Sequence, residues 1–152
     1  MILVKAPNPV PDPTYPTVFT AGSIEMGTAE PWQAELAAYM EGVAVTILDP
    51  RREVWSDMSP DDLHEQITWE LNGIARADLV VFYFDPATKS PISLLELGLV
   101  LGSKPGRVLV CCPTTFYRYD NVEITCAKYG VAVCHTKRAL FSALHRRFER
   151  ND

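Results

Sequence analysis

The sequence predicts an α/β fold, a doubly wound parallel sheet of five strands with helices on both faces. Three observations carry that prediction. Strand-like and helix-like stretches alternate five times between Thr17 and Phe148, with no internal repeat and no linker. The run Asp78 to Phe84 (DLVVFYF) is apolar at every position after its aspartate, as in a strand covered on both faces. Turn and cap signals separate the stretches at helix-starting positions, Ser59-Pro60-Asp61-Asp62 being the clearest.

Residues 1–16 hold five of the twelve prolines and read as an extended segment with no fold of its own. Ile2 to Val4 within it are able to join a sheet edge or pack on a partner subunit. Residues 17–152 form the predicted domain. Its first strand is Val18 to Ala21, running into the Gly22-Ser23 turn. Trp32, Leu36 and Met40 mark a helix that begins at Pro31, where the missing N–H costs little. A strand over Val43 to Leu48 ends in Asp49-Pro50-Arg51-Arg52, and the helix capped by Ser59 runs to about Arg76. After the apolar strand come a helix from Ile92 to Gly102 and a strand from Arg107 to Cys112. A helix from Asn121 to Tyr129 then stops at Gly130. Val131 to Cys134 is the last strand, and Leu140, Phe141, Leu144 and Phe148 give a closing amphipathic helix.

Composition excludes several functions. With 152 residues the chain suits one domain with a sizeable core. No apolar run approaches a membrane span and no leader pattern opens the chain, so a cytoplasmic address is the default expectation. A net charge of −5 argues against a nucleic-acid polymer as partner, while a small anionic ligand stays open. Cys111 and Cys112 point to opposite faces of one strand, and with Cys126 and Cys134 read as free thiols. Nucleotide-binding glycine motifs, a serine-nucleophile elbow and a clustered histidine set are all missing. The three tryptophans, Trp32, Trp55 and Trp69, read as core or rim residues.

Two carboxylates stand where an apolar residue is expected. Glu70 falls on the helical face defined by Leu63, Ile67, Leu71 and Ile74, and Glu96 lies among Leu94, Leu95, Leu97 and Leu99. A buried, unpaired carboxylate is costly, which points to a use for both. The plainer reading of each is an arginine pair or a helix cap. Ligands on such sheets bind beyond the carboxyl ends of the strands. That face collects Gly22, Ser23, Arg51, Arg52, Asp85, Ser90 and Glu96, with Glu70 within reach if its helix tilts that way. Gly22-Ser23 suits an anion through its N–H groups or is a plain turn, and Arg51 and Arg52 suit a phosphate or solvated ion pairs. Two acidic groups with no metal or cofactor suit an acetal-like carbon, one attacking and the other managing a proton.

The segments GSIE, ELNGIARADLVVFYF and PISLLELG resemble the nucleoside 2-deoxyribosyltransferases and related deoxynucleoside monophosphate N-hydrolases, over roughly residues 17–134. The resemblance implies a flavodoxin-like sheet, cleavage of the N-glycosidic bond of a 2′-deoxynucleoside or its monophosphate, and a homo-oligomer of at least two subunits. It assigns the nucleophile to Glu96, an acidic partner to Glu70, and to Asn121 a reach into a neighbouring subunit's site. The family's early tyrosine has no counterpart in VFTAG, and its base-contacting aspartate corresponds to Ser90. Transfer to a second base, hydrolysis of a monophosphate, and nucleotide binding without turnover are the three functions this leaves.

Overall fold

The computed structural model describes residues 1–149, so the last three residues of the predicted domain lie outside the described residues. Six strands form one parallel sheet: β1 (Ile2–Lys5), β2 (Thr17–Gly22), β3 (Thr46–Asp49), β4 (Leu79–Tyr83), β5 (Val108–Cys111) and β6 (Val133–Cys134). Their order across the sheet is β1-β3-β2-β4-β5-β6. Five helices connect or follow them: α1 (Trp32–Tyr39), α2 (Pro60–Arg76), α3 (Pro91–Ser103), α4 (Tyr119–Lys128) and α5 (Lys137–Glu149).

The sixth strand corrects the expected count of five. The first proline is Pro7, so Ile2 to Lys5 keep their N–H groups, and they pair in register with Thr46 to Asp49. The proline-rich residues that follow lie along α2. Trp69 donates its indole N–H to the Asn8 carbonyl at 2.8 Å, and Val10 packs on the core.

Every residue of β2 and β4 is buried, as a strand covered on both faces requires. One half of the core lies between the sheet and α2, α3 and α4, built on Phe19, Phe82, Ile74, Leu97, Leu101 and Val122. The other half lies under α1 and α5, built on Trp32, Leu36, Ile47, Val81, Leu140 and Leu144. Cys111 belongs to the second half and Cys112 to the first, on opposite faces as their adjacency dictates. All four cysteines are free thiols. No described helix is long and apolar enough to cross a membrane.

Helix α2 begins as its sequence predicts. Ser59 caps it through the Asp62 N–H, and the Asp62 carboxylate returns the bond to the Ser59 N–H at 2.9 Å. Its seating on the sheet departs from the apolar periodicity. Gln66, Gly73 and Ile74 are the buried positions, while Leu63, Ile67 and Leu71 are about half exposed. Gly73 sets this rotation: a Cβ there would lie 2.7 Å from the Phe19 ring, so the glycine lets α2 settle directly on β2.

Gly22 closes β2 with φ of +127°, and a Cβ there would meet the Tyr83 carbonyl oxygen at 2.4 Å. Both the backbone conformation and the contact require glycine. Gly22→Ala is expected to lower stability by about 2 kcal/mol or more. A denaturant titration followed by circular dichroism checks this.

Candidate active site

Strand β2 sits between β3 and β4, with α1 leaving it on one face of the sheet and α3 leaving β4 on the other. The crevice of a doubly wound sheet opens where the connections part in this way. Beside it lies a cleft of about 850 Å³ at the carboxyl ends of β2 and β3, where Ala21, Gly22 and Pro50 line it. Helix α2 supplies one wall through Leu63, Gln66, Ile67, Glu70 and Leu71. Helix α3 supplies the other through Ile92, Ser93, Leu95, Glu96 and Leu99. Gly22, Ile24, Glu25 and Met26 line the base of the cleft, and Trp55 and Met58 line it from the segment before α2.

The start of α3 is fastened by hydroxyl groups. The Ser23 hydroxyl accepts the Asp85 N–H at 2.8 Å and bonds the hydroxyls of Ser90 at 2.6 Å and Thr88 at 3.0 Å. Ser90, at φ of +48°, gives its N–H to the Glu25 carboxylate at 2.5 Å. Asp85 accepts the N–H groups of Ala87 at 2.9 Å and Glu30 at 3.1 Å. Glu25, Met26 and Ser90 all have positive φ, and all three line the cleft. Such conformations persist only where the surroundings hold them, and they concentrate at functional sites.

Glu96 enters the cleft from the second turn of α3. It is 9% exposed, and its Oε2 is buried with no hydrogen-bond partner among the described residues. Burial pushes its carboxyl up to about 8, with the charge of Glu70 adding to the effect. Glu70 is raised for the same reason, opposed by a hydrogen bond from Gln66 and by the charge of Arg52. Gln66 links these groups. Its amide donates to Glu70 at 2.7 Å and to the Pro50 carbonyl at 2.8 Å, and its oxygen accepts from Arg52 at 2.5 Å. The Trp55 indole nitrogen is likewise buried without a partner. The cleft thus presents an acceptor and a donor that the described protein leaves unused, set in apolar walls.

Of the residues expected at the site, Glu96, Glu70, Gly22 and Ser90 line the cleft together. Ser23 and Asp85 lie behind it and spend their polar atoms on the loop bonds just described. Arg51 and Arg52 are outside the lining. The Arg51 guanidinium donates to the carbonyls of Gly27, Ala29 and Glu30 at 2.7–3.0 Å, holding the loop after β2. Arg52 bonds Gln66 and forms an ion pair with Glu65 at 2.8 Å. Asn121 is exposed in the first turn of α4, away from the cleft, and Arg118 rather than Asn121 occupies the cap position. Sequence reasoning missed Gln66, Trp55 and Glu25. Gln66 had a signal, since it stands one helical turn before Glu70.

Glu96 keeps its proton in the folded protein over a range where the unfolded chain has lost it. The folded form therefore binds more protons between the ordinary carboxylate value and about 8, so stability falls as pH rises through that window. The contribution is complete below the window and lost above it. Replacing Glu96 by Gln is expected to flatten the profile and raise the melting temperature at pH 9, with an upper limit of about 5 kcal/mol. Melts from pH 5 to pH 9 measure it.

No curated protein matches the chain with significance. A family model described as nucleoside 2-deoxyribosyltransferase like matches residues 15–116, more than half of the chain. The matched span runs from β2 through β5 and includes both cleft walls and both carboxylates. The chain belongs to the nucleoside 2-deoxyribosyltransferase-like family.

Proposed function

We propose that the protein cleaves the N-glycosidic bond of 2′-deoxynucleosides with Glu96 as nucleophile and passes the deoxyribosyl group to a second base. The observation that carries this reading is the Glu96 carboxyl group, buried and unpartnered in an apolar cleft beside the sheet's crevice. Once ionised, its oxygen attacks the anomeric carbon from the face opposite the base and forms a glycosyl ester. The acceptor then attacks from the side the base left, giving net retention through two inversions. Glu70, raised by burial and beside Glu96, holds the sugar hydroxyls or manages a proton. Water as acceptor gives the hydrolase form of the same chemistry. Glu96→Ala is expected to fold and to lose several orders of magnitude in turnover. Chromatography of a deoxynucleoside panel, with and without a free acceptor base, tests this and separates transfer from hydrolysis. Undiminished turnover in the variant rejects the assignment.

The arginines favour a nucleoside over its 5′-monophosphate. Both guanidinium groups are engaged by carbonyls, Gln66 or Glu65, and neither lines the cleft. Arg51→Gln is therefore expected to loosen the loop it holds and to weaken both substrates alike. Parallel kcat/KM measurements on a nucleoside and its monophosphate decide the point.

Assembly as a dimer is the third part of the reading. Ile92, Leu95 and Leu99 on α3 are 50–70% exposed beside the half-exposed Leu63, Ile67 and Leu71 of α2. A two-fold axis through this face would lay each apolar stripe on its copy and cover the mouth of the cleft. Asn121 lies on α4, outside this face, and is assigned to a neighbouring subunit's sugar by family resemblance. Leu95→Lys is expected to yield monomers in sedimentation velocity, whereas an unchanged dimer would place the interface elsewhere.

A further inference from the structure

We infer that the cleft selects nucleosides whose base carries a positive charge, an N-alkylated purine or a pyridinium, over nucleosides with a neutral base. This rests on the reading that Glu96 cleaves the N-glycosidic bond.

The charges of the cleft all have one sign. Glu25, Glu70 and Glu96 line it, and no lysine, arginine or histidine does so among the described residues. Glu70 faces Glu96 from α2, with Arg52 held one residue away behind Gln66. Glu25 faces the start of α3 from the loop after β2, and Asp85 lies behind Ser23. Glu70 has Gln66 and the charge of Arg52, and Glu25 has the Ser90 N–H, so a neutral ligand leaves the ionised Glu96 as the one uncompensated carboxylate in apolar surroundings. A delocalised cation offsets it, and the unpartnered, nine-tenths buried Glu96 Oε2 is the atom placed to meet it. Trp55 adds an aromatic surface to the same lining, and aromatic faces attract such cations.

The chemistry of departure points the same way. A neutral base must gain a proton as it leaves. The ionisable side chains lining the cleft are all carboxyls. Glu96 has to be ionised to attack, and Glu70 lies close enough to raise it. A cationic base needs no donor. A Glu96 oxygen lone pair forms the C1′–O bond as the C1′–N bond breaks, and that electron pair neutralises the ring nitrogen, so a neutral base departs. Water then attacks C1′, the ester C1′–O electrons return to the carboxylate, and the water's proton passes through Glu70 to solvent. A second base in place of water loses its own proton by the same route.

Binding alone provides a test. Carbocyclic nicotinamide 2′-deoxyriboside, whose ring methylene prevents cleavage, is titrated calorimetrically at pH 7 beside its neutral benzamide isostere. The cation is expected to bind about tenfold tighter or more. It is also expected to release protons, because Glu96 must give up the proton it holds near pH 8, so that affinity rises with pH. Titrations in two buffers of different ionisation enthalpy count those protons. In a Glu70→Gln, Glu96→Gln double variant, its fold checked by circular dichroism, the preference is expected to fall within twofold. Equal binding of the two ligands by the parent protein overturns the inference, and so does a preference that survives in the double variant. Cleavage assays separate this from the underlying reading. Release of base from neutral deoxynucleosides as fast as from nicotinamide 2′-deoxyriboside, by kcat/KM, rejects charge selection and keeps Glu96 as nucleophile. Preferential binding of the cation with no cleavage of any nucleoside supports charge selection and rejects the enzymatic reading.

Discussion

The hydroxyl of Ser23 ties together the ends of β2 and β4 behind the cleft. It stands just beyond β2, takes the N–H of Asp85 just beyond β4, and holds Ser90 at the threshold of α3. These bonds are fully buried, where a missing partner costs more than a bond gains. The left-handed Ser90 backbone is kept in place by them and by the Glu25 carboxylate. Glu96 is positioned six residues further along a helix whose first residue is thereby fixed. The placement of the proposed nucleophile thus depends on a hydroxyl that never enters the cleft.

The ionisation of the site follows from burial. Burial in apolar surroundings raises the Glu96 carboxyl and the charge of Glu70 adds to the effect, so Glu96 holds its proton near neutral pH. Gln66 gives Glu70 a hydrogen bond and brings Arg52 near, while Glu96 receives no such support. The two groups are therefore unequal, and the less supported one, Glu96, keeps an oxygen free of any partner among the described residues.

The sequence made the order of elements legible because parallel strands covered on both faces leave long apolar runs, as at Leu79 to Phe84. Glu70 and Glu96 were legible for the opposite reason, as charges among apolar neighbours. The rotation of α2 was not. Leu63, Ile67 and Leu71 mark an apolar stripe, but periodicity does not say whether a stripe meets the core or a cleft wall. The close approach of Gly73 to Phe19 decided it, and that is a long-range contact. Arg51 and Arg52 were placed correctly at the end of a strand, yet their partners come from residues 27–30 and 65–66, which spacing does not reveal. The first strand was offered only as one of two readings of Ile2 to Val4, because its proline-rich context obscured it, although the prolines begin only after it.

The seating of Gly73 also decides which parts of the cleft can adjust. Helix α2 rests on β2 with no room to sink further, and the segment around Asn8 braces it from outside. That wall behaves as a fixed jaw. The base and the segment before α2 add Met26 and Met58, thioether side chains that change shape at little cost, and Met26 is two-thirds exposed. Under the proposed reaction, bases of different outline would be accommodated by the methionines while the sugar end stays in register with Glu96. Under that proposal, tolerance for the leaving group and precision at the anomeric carbon belong to different parts of one cleft.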